Sequence, residues 1–192
     1  MPHLASPSSH TAPASSRLSR RARWLAIVPL AAAGLMLIGL VAQWVSEDIR
    51  ATFISTSLGM LGTDMAADAA QFPGVIWPML LRTVPIVVFV LTMLTLFQLF
   101  RRLAQGVVLD ERNAMLVSRA GIGFVVFAVT AMLSNTLTTL YLSMTNPDGP
   151  GVFSVGFSAS DIGAFASGFA LWGLGLVLSE AARIADDHAS IV

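Results

Sequence analysis

Thr83–Arg102 reads TVPIVVFVLTMLTLFQLFRR: eighteen residues without a charge, then two adjacent arginines. At about 1.5 Å per residue, an eighteen-residue helix measures roughly 27 Å, close to the ~30 Å hydrocarbon core of a bilayer. A run this long and this free of charge is a membrane-spanning helix, and Phe100-Arg101-Arg102 marks where it leaves the lipid. Upstream, the apolar pattern continues through Ile76, Trp77, Met79, Leu80 and Leu81. The span is therefore placed at 76–100. Arg82 then lies inside it, about 9 Å from its outer end. Pro85 cannot bond back to Leu81, which predicts a kink.

Three further stretches have the same character. Trp24–Val45, WLAIVPLAAAGLMLIGLVAQWV, carries no charge. It is too long for a signal-peptide core, no small-x-small cleavage site follows it, and Trp44 closes it as an interfacial anchor. Ser19-Arg20-Arg21 resembles a twin-Arg export signal, but those features favour a retained span. Pro29 is placed in its first turns, where a missing N–H costs least. The third span is 120–143 and the fourth 162–179, with Asp161 suited to cap the latter. The expected fold class is an all-α integral membrane four-helix bundle.

Composition agrees. Of 192 residues, 55% are hydrophobic and 11% charged, against about 25% charged in soluble domains. Mean hydropathy is +0.76. Too few charges exist to clothe a soluble core. Net charge is zero, so no global basic field draws nucleic acid, and no direct nucleic-acid binding is expected. Cysteine is absent, which excludes disulfides, thiolate nucleophiles and cysteine metal sites. His3, His10 and His188 all lie near the chain ends. Every cation is arginine; with the high alanine content, this points to a GC-rich bacterial genome.

Arginine placement sets the expected topology. Arg17, Arg20, Arg21 and Arg23 precede the first span. Arg101, Arg102, Arg112 and Arg119 lie between the second and third, and Arg183 follows the fourth. Four spans put these nine of eleven cations on one side, leaving Arg50 and Arg82 on the other. Both termini are thus expected in the cytoplasm of a bacterial inner membrane. Trp24 falls at the inner boundary and Trp44, Trp77 and Tyr141 at the outer, the usual aromatic belt. Trp172, near the middle of span four, reads as a buried packing residue.

Outside the spans, residues 1–23 form an arginine-containing cytoplasmic tail; its first sixteen, MPHLASPSSHTAPASS, have no apolar period and are expected to be disordered. The first outer loop, from Ser46 to about Val75, is read as partly an amphipathic helix. In the second, Asn146-Pro147-Asp148-Gly149-Pro150-Gly151 signals a turn and 152–158 an extended stretch. The loop after span two offers Gly106 to end one helix and Asp110 to cap the next. Residues 180–192 are expected to continue span four as an amphipathic cytoplasmic tail, with Ala181, Ile184, Ala185 and His188 on one face.

Two candidate sites emerge. Ser134, Asn135, Thr138 and Thr139 occupy one broad side of span three. With Arg82 and Asp161 nearby, they form a candidate intramembrane polar cluster, either a solute path or interhelical hydrogen bonding. For Arg82 the favoured reading is snorkelling to the outer headgroups or pairing with Asp161, ahead of a transport role. At the inner face, Arg101, Arg102, Asp110, Arg112, Glu180 and Arg183 form a candidate interaction surface. Ala164, Gly168, Gly175 and Ser179 share a face of span four and predict close helix approach, within the chain or between chains. No HExxH, GxSxG, P-loop or GxGxxG occurs, and no paired histidine ligands. Asp64 and Asp68 read as solvated carboxylates. No enzyme activity, cofactor or metal is expected.

Three stretches together are similar to a bacterial family of four-span membrane proteins, domain of unknown function 2975. They are Leu99–Asn113, with its LFR-like exit, glycine, apolar pair and capped helix; Phe157–Gly163, like that family's approach to its last helix; and Glu180–Arg183 through Ser190–Val192, like its charged ending. Here Leu109 stands where the family usually has Phe, and Asp110 where it has Ser or Thr. The resemblance spans roughly residues 24–192. It implies a four-helix inner-membrane protein and no catalytic residues. It also implies a cytoplasmic helix-turn-helix regulator as a partner. The expected function is a non-enzymatic regulatory or interaction protein; the alternative is a small-solute transporter or channel component.

Overall fold

Hydrocarbon offers a peptide group no hydrogen-bond partner, so a chain crossing it must satisfy its backbone internally. The computed structural model describes residues 13–52, 73–107, 110–145 and 159–189. Among them are four long helices: α1 (Pro13–Val45), α2 (Ile76–Ala104), α3 (Glu111–Thr145) and α4 (Ala159–Ala189). Each is long and apolar enough to cross a membrane. The chain is an all-α, multi-pass membrane protein. The turn at 146–151, the stretch 152–158, Asp64, Asp68, His3, His10 and the terminal Ser190–Val192 lie outside the described residues.

The main contacts run in chain order among the described residues: α1 on α2, α2 on α3, α3 on α4. The bundle is therefore an open succession of hairpins. Most apolar side chains face outward, as Leu35 (71% exposed) does on α1 and Val177 (66%) on α4. In lipid this exposure costs little, and association rests on packing and hydrogen bonding. Ala26, Pro29 and Ala33 form the narrow buried stripe of α1. Helix α1 already includes Pro13, within the stretch read as a disordered tail. Pro29 is therefore mid-helix rather than in a first turn, and it removes an internal hydrogen bond.

α3 and α4 approach most closely through glycine. A Cβ at Gly121 would meet Gly168 O at 2.7 Å and Trp172 N still nearer. One at Gly168 would meet Val125 N at 2.9 Å, and one at Gly175 would meet Ser118 N at 2.6 Å. The small face of span four is thus used within the chain. These pairings also define an antiparallel register. α2 and α3 pair likewise, through Gly123 against Thr92 and Phe89 against Phe127, whose ring centroids are 5.3 Å apart. Trp172 is not buried as expected. Its backbone lies in the seam, but its ring projects sideways, 39% exposed, beside Phe169 at 6.0 Å.

Several threonines inside the spans bond to their own helices, although the buried Oγ1 of Thr136 meets no partner among the described residues. Thr83 donates to Met79 O (2.9 Å), Thr92 to Val88 O (2.8 Å) and Thr130 to Val126 O (2.8 Å). This settles a hydroxyl in lipid without a second helix. At the end of α1, Ser46 opens a short helical turn over 47–52. Arg50, only 6% exposed, donates to Trp44 O at 3.0 Å and pairs with Glu47 at 3.5 Å. A cation there satisfies the last carbonyls of α1 and opposes the helix dipole.

Gly121→Ala and Gly168→Ala should each destabilise the protein by about 1–3 kcal/mol through overpacking. Gly163→Ala and Gly173→Ala, where an added Cβ meets nothing within 4 Å, should leave stability equal or slightly higher. Reversible unfolding in mixed detergent micelles measures the difference.

Candidate functional site

Among the described residues, the α2–α3 hairpin gathers the arginines of the inner-face candidate surface into one place. α2 ends at Ala104 because Gly106 takes a left-handed φ of +85°, where a Cβ would be strained. Gln105 N and Gly106 N donate back to Arg102 O (3.0 Å) and Leu103 O (3.1 Å). Asp110 then caps α3: its Oδ1 accepts from Arg112 N at 3.1 Å, and its carbonyl from Asn113 N at 2.9 Å. α3 therefore starts at Glu111, nine residues before the expected span, because the cap starts the helix outside the lipid.

Two side chains bind the hairpin ends together. Arg102 pairs with Asp110 across the turn, with both side chains 29% exposed. Asn113, 4% exposed, donates from Nδ2 to Val107 O at 2.7 Å. The pairing of Arg102 with Asp110 could not be read from sequence, where Asp110 appeared simply as a cap and Arg102 as half of an exit signal. Eight residues separate them, and the left-handed turn at Gly106 brings them together.

Beside this knot lies a cleft of about 510 Å³. Gln98, Arg101, Arg102 and Gln105 come from α2; Arg112 and Arg119 come from α3, with Met115 and Leu116 as its apolar part. Arg101, Arg112 and Arg119 are exposed and make no ion pair or side-chain hydrogen bond among the described residues. The buried Nε of Arg102 also meets no acceptor among them. The cleft thus holds a concentrated, uncompensated positive charge and two neutral amides.

Glu180 and Arg183, the remaining residues of that candidate surface, lie on α4. They form a two-pronged pair, Nε to Oε2 at 3.2 Å and Nη2 to Oε1 at 2.6 Å, both well exposed. The register through Gly175 and Ser118 puts them level with the start of α3. They share the arginine-rich end with the cleft but pair with each other.

The intramembrane candidates separate by face. Ser134 and Thr138 are buried, Thr139 and Arg82 half-buried. Asn135 is exposed, contrary to the expectation that it faces the bundle. Neighbouring residues on a helix point about 100° apart, and the contact with α2 covers one narrow stripe of α3. Asp161 sits in the first turn of α4, not at its cap, because the helix begins two residues earlier at Ala159. A carboxylate there still favours the positive end of the dipole. Neither Arg82 nor Asp161 is free; each takes part in an electrostatic or hydrogen-bonding interaction. Among the described residues no group of three or more His, Asp or Glu could hold a metal ion.

No protein-family model, curated protein or solved structure matches the chain. The family resemblance therefore rests on the quoted motifs alone.

Asp110→Ala removes both the cap and the partner of Arg102, and should cost about 1–2 kcal/mol locally. Amide exchange at Arg112 and Asn113 should accelerate about tenfold, whereas Glu111→Ala should leave it unchanged.

Proposed function

We propose that this chain is a non-enzymatic regulatory or interaction protein of a bacterial inner membrane, with both termini and the α2–α3 hairpin in the cytoplasm. The carrying observation is the hairpin itself: a connection tied by Asp110, Arg102 and Asn113, presenting three unpaired arginines from backbone positions held by those contacts. A linker needs no such order, whereas a recognition surface gains affinity from being preorganised. The resemblance to domain of unknown function 2975 supports the same reading, with a cytoplasmic helix-turn-helix regulator as the proposed partner. The partner contacts the hairpin tip and the end of α4, where Glu180 and Arg183 stand. A small-solute transporter or channel would draw on the polar side of α3, and the outward-facing Asn135 weakens that alternative.

Reporter fusions at Gly106 and Val192 should report a cytoplasmic location, and fusions at Asp68 and Gly149 the opposite side. Photo-crosslinkers placed at Glu111 and Arg183 should capture a cytoplasmic protein that one placed at Val45 does not. Removing residues 180–192 should weaken the capture at Glu111 at least tenfold. An interactome unchanged by that removal would overturn the proposal.

A further inference from the structure

The arginine cleft continues directly into lipid-facing surface. On α2, stepping back from Gln98 by helical spacing reaches Leu94, Leu91 and Val87, all exposed. On α3, the steps from Met115 and Arg119 reach Ile122, Val126 and Val129, also exposed. Residues three and four apart share a helix face. The faces of α2 and α3 that line the cationic cleft thus continue into the hydrocarbon as exposed apolar stripes.

That layout matches an amphiphile with an anionic head. Guanidinium groups bind phosphate oxygens in forked pairs, and Gln98 and Gln105 can donate to ester or hydroxyl oxygens. The positive-inside bias accounts for arginines on this side of the membrane. It does not account for four of them, from two helices, converging on one cleft whose wall is held by the Arg102–Asp110 pair. A free phosphate would use the guanidinium groups but not the stripes. We infer that the cleft is a binding site for the phosphate headgroup of an anionic phospholipid, with an acyl chain lying on the exposed apolar surface that adjoins it. The inference goes beyond the proposed interaction role and stands whether or not a protein partner exists.

The test uses the full chain, delipidated in detergent, with native mass spectrometry to count retained lipid. Phosphatidylglycerol should be retained over phosphatidylcholine of the same chains by tenfold or more. Each arginine near an anionic lipid contributes about fivefold, so Arg101→Gln, Arg112→Gln and Arg119→Gln together should weaken retention roughly a hundredfold. Arg17→Gln, Arg20→Gln and Arg21→Gln together remove equal charge elsewhere and should leave it within about threefold of the unaltered chain. If the cleft triple variant does not fold, the three single variants, each expected to lose about fivefold, carry the comparison. Inorganic phosphate and glycerol phosphate should bind far more weakly than the lipid. Equal affinity for these soluble ions would overturn the lipid assignment, as would equal loss in both triple variants, no loss in the cleft variants, or no preference over phosphatidylcholine.

Discussion

The structure depends on one constraint: a polar group that enters hydrocarbon must find its partner inside the protein. The backbone meets it with four long helices. Thr83, Thr92 and Thr130 meet it by bonding to the turn beneath them. Arg50 meets it at the other end of the bundle, where it folds back on the last turn of α1. Association between helices then has no water-driven term to rely on, since lipid and leucine are equally apolar. Close backbone approach at Gly121, Gly168 and Gly175 takes its place.

The same constraint gives the α2–α3 hairpin its character. Arginines are costly in lipid, so four of them collect where α2 leaves it and α3 begins. The connection between them could have been a loose loop. Gly106, Asp110 and Asn113 instead tie its two ends, and the Arg102–Asp110 pair neutralises one cation while leaving three. Exposed ion pairs contribute little stability. This one, half-buried, acts chiefly by holding the two helix ends together, and with them the backbone positions that carry the remaining arginines.

How much of this was legible in the sequence follows from range. The four spans were readable because absence of charge over some twenty residues is a local property. Gly106 as terminator and Asp110 as cap were readable because each acts on its own turn. The small residues of α4 announced a close contact but not its partner, since Gly121 and Ser118 lie on another helix. Trp172 was misread for the same reason: its backbone packs while its ring does not, and residue type cannot separate the two. Asn135 was misplaced because a one-residue rotation, invisible in a broad polar stripe, decides between helix and lipid. The inclusion of Pro13 in α1 was hidden by a composition that also suits coil. The cleft itself needed the antiparallel register of α2 and α3, which no local pattern encodes.

The glycine seam also works as a ruler. Side-chain interfaces can slip by repacking, but backbone against backbone has almost no freedom to slide. With Gly175 set against Ser118, the height of α4 relative to α3 is fixed. Its last stretch, up to Ala189, stands about two turns, roughly 10 Å, past the level at which α3 begins. This part of α4 thus stands as a post of set height beside the arginine-rich hairpin, and that height is determined by contacts deep in the membrane.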